Sequence, residues 1–326
     1  MTDSHQSSFS SPRHASSLTV SQARQGQRLD NFLLSHLKKI PRSLVYKLVR
    51  TGQVRVNGRR AKAEHKLCMD DVVRIPDVVN PARCAATSTE VSQSILKCLQ
   101  DAIVFEDSRL LVLNKPSGIA CHGGSGITHG VIEGIRVLKQ MPTLELVHRL
   151  DRDTSGILVL AKKRSALTQL HALMRSDTKE NAIEKRYIAL LVGHLPNGCL
   201  QVDAPLHTFV RQGGERHVQV HPQGKASLSA FTVIARRGGY SLCSVQIFTG
   251  RTHQIRVHAQ HLGFPIAGDD KYGDSSSNKH IRQRTGLHRL FLHAAELAFA
   301  LEDGAVPYRL QAPLPLDLSE VFSKLA

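Results

Sequence analysis

The sequence contains no tryptophan, only four methionines, and aromatic residues at 5% of its 326 positions. No stretch approaches the 18 consecutive apolar residues that a membrane-spanning helix needs. Residues 1–17 lack the apolar run of a secretory signal, so we expect a cytoplasmic protein. The six cysteines form no C-x-x-C pair, which is typical of free thiols in a reducing compartment and argues against a zinc site.

Acidic residues are also scarce, with 27 Asp and Glu against 43 Lys and Arg, for a net charge of +16 at pH 7. Hydrophobic residues make up 41% of the chain, enough for a sizeable core, which argues against a wholly disordered basic protein. An excess of positive charge is typical of proteins that bind nucleic acid, anionic lipid or an acidic protein.

The positive charge is concentrated in residues 28–66, which hold eleven basic residues against two acidic ones. Apolar spacing predicts helices over 28–40 and 43–50, and Asn57-Gly58 is a strong hairpin signal after an alternating strand. The polar faces of this small module carry eight cations, namely Lys38, Lys39, Arg42, Lys47, Arg50, Arg55, Arg59 and Arg60.

This module resembles the S4 RNA-binding domain in its R-L-D-N-F-L start at residue 28 and its G-Q-V-R-V-N-G hairpin at residue 52. The resemblance implies binding to RNA, mainly through phosphate contacts that weaken with salt and carry little sequence preference. We expect the domain over 21–76, after a disordered segment at 1–20 and before a linker at 77–95.

Residues 96–326 are rich in predicted strands and contain two predicted helices, at 164–175 and 253–262, which favours an α+β domain with a mixed, largely antiparallel sheet. The predicted strands are 103–105, 110–113, 157–160, 187–192, 231–235 and 242–248. The basic segment 274–286 is expected to form a variable RNA-contacting loop.

The densest polar cluster, at residues 148–156, lies directly before a strongly apolar strand. A charged loop mounted on a rigid strand suits an active site, although a solvated turn has the same composition. The stretch H-R-L-D-R-D-T-S-G-I-L-V-L-A-K resembles the signature of the RluA family of RNA pseudouridine synthases. Four further blocks follow the family's order: N-K-P-S-G at 114, K-R-Y at 185, G-R-T-H-Q-I-R-V-H at 250 and F-L-H-A at 291.

The resemblance implies that uracil is detached from its ribose, turned and rejoined through C5. The family's catalytic aspartate falls on Asp151, its active-site tyrosine on Tyr187 and its partner arginine on Arg251. Because burial alone raises the pKa of a carboxylate, a nearby cation is physically required, and we expect Arg251, next to a helix capped by Thr252, to supply it. The remaining candidates for substrate binding are Arg149, His148, Thr154, Lys185 and Ile255.

Arg149 matches the arginine that, in the family, enters the space left by a flipped nucleotide. Tyr187 is expected to stack on the base and to help move the C5 proton. We expect no metal, because the spacing of His253, His258 and His261 does not bring all three to one helical face. No cofactor is expected either, since the isomerisation is redox-neutral and the glycines at 123–126 lack a P-loop pattern.

As substrate and partner the resemblance implies 23S ribosomal RNA or a large-subunit precursor, with three uridines near the peptidyl transferase region as targets of an enzyme that we expect to be a monomer. Other 23S uridines or tRNA uridines are the first alternative, since related enzymes share these motifs. A non-catalytic RNA-binding protein of ribosome assembly is the second. A membrane-surface protein is disfavoured because the basic helices lack Trp and have ordinary core faces.

Overall fold

The computed structural model describes residues 16–37, 42–76, 91–123, 129–175, 183–210, 216–301 and 307–325. The chain divides into two units, Met1–Glu90 and Val91–Ala326. Among the described residues no helix is both long and apolar enough to cross a membrane.

As far as it is described, the N-terminal unit packs two α-helices against a three-stranded antiparallel sheet of order β1-β3-β2. Its elements are β1 (Ser16–Thr19), a 3₁₀ turn (Gln22–Arg24), α1 (Leu29–His36), α2 (Arg42–Arg50), β2 (Arg55–Val56) and β3 (Val72–Ile75). The apolar faces of both helices meet the sheet in one buried core around Phe32, Leu48 and Val73.

The prediction of disorder through residue 20 is wrong for residues 16–19, which pair with β3 over four residues. Serine-rich composition concealed the apolar pair of Leu18 and Val20, which packs into the core of the unit. Residues 1–15 lie outside the described residues.

The C-terminal unit contains one ten-stranded sheet and a separate hairpin, with helices on its faces. Its helices are α3 (Gln93–Asp101), α4 (Val131–Leu138), α5 (Arg164–Arg175), α6 (Gln254–His261), α7 (Ser275–Thr285) and α8 (Leu316–Ser323). Its strands are β4 (Ile103–Glu106), β5 (Leu110–Lys115), β6 (Glu145–Leu146), β7 (Ser155–Ala161), β8 (Glu184–Val192), β9 (Cys199–Asp203), β10 (Leu206–Val210), β11 (Arg216–Val220), β12 (Leu228–Arg237), β13 (Tyr240–Ile247), β14 (Leu292–Phe299) and β15 (Tyr308–Gln311).

The large sheet runs β4-β5-β7-β14-β8-β13-β12-β9, with β15 beside β14 and β6 beside β7, and β10 and β11 form the hairpin. Among the described strands only β7 and β14 pair in parallel. The predicted α+β class with a mixed, largely antiparallel sheet is therefore confirmed.

Strand β7 is buried along its whole length because alternate side chains face two different cores. Ile157 and Val159 pack with α5, whereas Leu158 and Leu160 pack with α3 and α4. At the start of β7, Gly156 has φ +114°, and a Cβ there would overlap the backbone of Ala294. Glycine is therefore needed where β7 and β14 come together, directly after the polar cluster.

Two further sequence predictions need correction at element boundaries. The predicted linker extends too far, because α3 begins at Gln93 after Ser92 caps it by accepting from the Ile95 N–H. The predicted loop at 274–286 is mainly helix α7, capped by the Asp274 carboxylate and ended by Gly286 in a left-handed conformation.

Candidate active site

A cavity of about 460 Å³ in the C-terminal unit lies beside the start of β7. Its walls come from the loop before β7, from β8, from the start of α6 and from β14. The cavity is lined by all eight residues that the sequence assigned to catalysis and substrate binding in this unit: His148, Arg149, Asp151, Thr154, Lys185, Tyr187, Arg251 and Ile255.

The loop that carries Asp151 is held by a buried lysine from the N-K-P-S-G block. Lys115 is fully buried, and its Nζ donates to the backbone oxygens of Pro116, Ile119 and Arg152 at 2.8, 2.8 and 3.0 Å. Burial lowers the pKa of this ammonium to about 8. Three carbonyl acceptors saturate its three donors, so Lys115 fixes the loop without entering the cavity.

The F-L-H-A block contacts the residue at which the same loop enters β7. His293 is fully buried, with Nε2 3.1 Å from the oxygen of Ala312 and Nδ1 3.0 Å from Oγ of Ser155. Because Nε2 faces a carbonyl it carries the proton, so Nδ1 accepts from the Ser155 hydroxyl. Ser155 in turn accepts from Nη1 of Arg289 at 3.1 Å.

The Asp151 carboxylate lines the cavity and faces two cationic or protonatable side chains. Its Oδ2 lies 3.7 Å from Nη1 of Arg256 and 3.8 Å from Nε2 of His253. Arg256 is buried and makes a bidentate pair with Asp269, Nε to Oδ2 at 2.8 Å and Nη2 to Oδ1 at 2.7 Å. Its guanidinium also lies 5.0 Å from the centre of the Tyr272 ring.

Asp269 is itself fixed by the turn that carries it. Its Oδ1 accepts from the backbone N–H groups of Lys271 and Tyr272, both at 2.9 Å, and Asn278 of α7 donates to its backbone oxygen at 2.9 Å. Burial raises the pKa of Asp269. The hydrogen bond from Arg256 and the charge of that guanidinium together lower it by more, so the pKa lies below its usual value. Burial lowers the pKa of Arg256, but the hydrogen bond to Asp269 and the charge of that carboxylate raise it, and the net direction is upward.

The expected pairing of Arg251 with Asp151 is therefore corrected. Arg251 is exposed, its Nε donates to the Ala226 oxygen at 3.0 Å and its backbone N–H donates to Oε1 of Gln254. The arginine that faces Asp151 is instead Arg256, the second arginine of the G-R-T-H-Q-I-R-V-H block. Sequence reasoning missed Arg256 because it shares a block with Arg251, and its burial beside Asp269 follows from tertiary packing.

The cap prediction for the same helix is also wrong. Thr252 does not cap α6, because His253 occupies the N-cap with φ +55° and no side-chain cap bond. Gln254 fastens the helix instead: its Oε1 accepts from Thr249, and its Nε2 donates to Leu228 and Ser229.

Burial sets the protonation state of the remaining groups in the wall. The half-buried His148 accepts the Val159 N–H on Nε2 at 3.2 Å, and desolvation lowers its pKa to about 4. Burial and the negative charge of Asp151 raise the pKa of the Tyr187 hydroxyl. Burial, with the charge of Arg251, lowers the pKa of Lys185. Arg149 is exposed, with Nη1 3.2 Å from Nε2 of His122.

The N-terminal unit presents the predicted RNA-binding cations at its surface as far as it is described. The exposed set comprises Lys47, Arg50, Arg55, Arg59 and Arg60. Arg55 is directed along the hairpin, where its Nη1 donates to the Gly58 oxygen at 3.3 Å. Lys38, Lys39 and the side chain of Arg42 lie outside the described residues.

Two family matches cover both units. Residues 109–261 match the RNA pseudouridylate synthase family, and residues 27–73 match the S4 domain. The chain is 50% identical over 301 residues to ribosomal large subunit pseudouridine synthase C of Yersinia pestis, covering 91% of each chain. It is 48% identical over 305 residues to the protein of that name from Escherichia coli strain K12, covering 92% of this chain and 93% of that one.

Solved structures agree with these matches. Human RNA pseudouridylate synthase domain containing 4 superposes with a TM-score of 0.58 at 26% identity, over 71% of this chain and 95% of that one. Human RNA pseudouridylate synthase domain containing 1 superposes with a TM-score of 0.55 at 25% identity, over 68% of this chain and 86% of that one. The chain belongs to the RNA pseudouridine synthase family and carries an S4 domain, as its motifs indicated.

The geometry predicts that Arg256 matters more for turnover than Arg251. Arg256→Lys keeps the charge but loses the bidentate hold on Asp269, so kcat is expected to fall about 10²-fold, as when a positioned hydrogen-bond donor is lost. Arg251→Lys is the matched variant. Its loss of kcat is expected to be smaller, because Arg251 does not contact the Asp151 carboxylate. Tritium release from C5-labelled RNA measures both rates, and equal losses would contradict the assignment.

His148 predicts a pH dependence of stability. Its folded pKa of about 4 lies below the unfolded value of 6.5, so the unfolded chain binds more protons between these values. The contribution of His148 to the free energy of unfolding is complete above pH 6.5 and is lost as the pH falls to 4. It amounts to at most about 3 kcal/mol. His148→Gln keeps an acceptor for Val159 without titrating. Urea unfolding is therefore expected to show a shallower loss of stability for the variant, and parallel pH profiles would contradict this role.

Proposed function

We propose that this pseudouridine synthase modifies uridines of 23S ribosomal RNA and that Asp151 is its catalytic carboxylate. The observation that carries the proposal is the ionic environment of Asp151, whose Oδ2 faces Arg256 and His253 at the wall of a cavity. The ribosomal substrate is supported by the names of relatives that match almost the whole chain.

The reaction breaks the C1′–N1 bond, rotates the uracil, forms the C1′–C5 bond and moves the C5 proton, with no net gain or loss of atoms. Whether Asp151 attacks C1′, attacks the uracil ring or removes a ribose proton, the carboxylate enters the reaction as an anion. Arg256 supports that state in all three routes because its own charge is fixed and it is clamped by Asp269.

Tyr187 is proposed to stack on the target base and to assist proton movement at C5. The ring lies on β8 opposite Ala294 and packs against cores on both sides, which holds it rigid. Because the pKa of its hydroxyl is raised, the phenol remains protonated at neutral pH. The phenol can therefore accept the C5 proton only after its own proton has passed to N1 of the detached uracil.

Arg149 is proposed to occupy the space left when the target uridine leaves the RNA stack. It lies two residues before Asp151 and is exposed, whereas its neighbour Leu150 is buried. A planar cation that stacks on neighbouring bases offsets part of the few kcal/mol that flipping costs. His148, Thr154, Lys185 and Ile255 complete the proposed wall around the flipped base.

The S4 domain is proposed to add phosphate contacts through its exposed cations. Such contacts raise affinity without reading sequence, so the choice of uridine depends on RNA shape around the cavity. The family resemblance implies three targets near the peptidyl transferase region, and we extend that to this chain as a monomeric cytoplasmic enzyme acting on 23S RNA or a large-subunit precursor.

The test is tritium release from C5-labelled uridine in unmodified 23S RNA and, separately, in bulk tRNA. Wild type is expected to release tritium from 23S RNA, and Asp151→Asn is expected to release none while still binding the RNA, since the isosteric amide cannot act as an anion. Filter binding of both proteins to 23S RNA is the control for substrate affinity.

Each departure from that result identifies a different error. Release from tRNA alone would contradict the ribosomal substrate but keep the chemistry. Substantial turnover by Asp151→Asn would remove Asp151 from the mechanism. RNA binding without release from either substrate by wild type would favour the non-catalytic assembly protein.

A further inference from the structure

His253 lies beside Asp151 in a backbone conformation that few residues adopt. Its φ is +55°, in the left-handed region, directly before the first turn of α6. Such a conformation is costly for a residue other than glycine and persists only where the surroundings enforce it. Here it directs Nε2 of the imidazole to 3.8 Å from Oδ2 of Asp151.

The opposite side of the imidazole is held by Tyr272. The Nδ1 atom lies 2.7 Å from the Tyr272 hydroxyl, and the two rings meet edge to face with centroids 5.4 Å apart. Tyr272 is fully buried, and its hydroxyl also accepts the Val218 N–H at 3.1 Å. The imidazole is therefore fixed from the hairpin and from the turn that carries Asp269.

These contacts determine which imidazole nitrogen carries the proton. The Val218 N–H already donates to the phenol oxygen, and the phenol's own proton needs an acceptor, which Nδ1 of His253 provides. Burial raises the pKa of Tyr272, so that proton stays on the phenol at neutral pH. Since Nδ1 accepts, the neutral ring carries its hydrogen on Nε2, the nitrogen that faces Asp151.

We propose that His253 is a positioning residue that presents its Nε2–H to Asp151 and that Tyr272 fixes the tautomer required for this. The inference rests on the proposed role of Asp151. At 3.8 Å the contact is longer than a hydrogen bond, as is common in catalytic sites without substrate. Both His253 and Arg256 approach Oδ2, which leaves Oδ1 of the carboxylate for the substrate.

Burial and the charges around His253 together favour its neutral form at pH 7. Burial lowers its pKa, the negative charge of Asp151 raises it, Arg256 and Lys271 lower it and Asp269 raises it, with a net downward direction. Protonation at lower pH would place a hydrogen on Nδ1, facing the Tyr272 hydroxyl that donates there. The Nε2–H that faces Asp151 would remain, but the Tyr272 hydrogen bond that fixes the ring would have to rearrange, so the ring is held in this position only above the pKa of His253.

Two substitutions of His253 in the full-length enzyme separate its two nitrogens. His253→Gln places an amide N–H near the former Nε2 but does not titrate, and Gln140 at φ +52° shows that glutamine adopts this backbone in the same chain. His253→Asn tolerates the left-handed region and keeps a polar group near Nδ1, but it has no donor that reaches Asp151. His261→Asn, on the exposed end of α6, is the matched control.

The measurement is kcat and KM for tritium release from 23S RNA between pH 5 and 9, with thermal unfolding of each variant. His253→Asn is expected to lower kcat about tenfold or more, with little change in KM, as when an orienting partner is lost. His253→Gln is expected to recover most of that loss and to remove the acid-side decline due to His253. Tyr272→Phe is expected to lower kcat and shift that decline, while His261→Asn behaves as wild type.

The proposal is overturned if His253→Asn and His253→Gln give equal kcat values, or if His253→Asn matches wild type at every pH. Including Asp151→Asn separates this failure from failure of the proposed function. An inactive Asp151→Asn beside a fully active His253→Asn would refute only the positioning role. An active Asp151→Asn would refute the function on which the inference rests, and the inference with it.

Discussion

The site depends on one buried guanidinium shared by two carboxylates. Arg256 is held by Asp269 through two short hydrogen bonds, and its remaining amino group faces Asp151. A buried arginine is unstable without an acidic partner, and Asp269 supplies that partner. Arg256 is thereby held with its positive charge 3.7 Å from the Asp151 carboxylate.

The rest of the C-terminal unit brings these groups to one place. Lys115 and His293 hold the loop that carries Asp151 through Arg152 and Ser155, and Gly156 allows β7 to lie against β14. Asn278 of α7 ties down the turn that carries Asp269. Each separate sequence block of the family therefore has a physical task, and together they place one aspartate at the wall of a cavity.

The sequence predicted the elements with strong local patterns, such as α5 at residues 164–175. The family blocks predicted which side chains line the cavity. It misassigned the cation, because Arg251 and Arg256 share one block and only the start of α6 at Gln254 decides which arginine turns toward Asp151. The contributions of Asp269, Tyr272 and Asn278 were also missed. These residues meet Arg256 through tertiary packing, which no periodicity or spacing in the sequence records.

A double-mutant cycle on kcat between Asp269→Asn and Arg256→Gln tests the shared guanidinium most directly. Each substitution replaces a charged side chain with an uncharged amide. The double variant therefore leaves no unpaired charge between the two positions. If Asp269 acts only through Arg256, adding Asp269→Asn to Arg256→Gln changes kcat little, and the coupling energy is about 1–3 kcal/mol. Additive losses, with coupling under about 0.5 kcal/mol, would contradict the account.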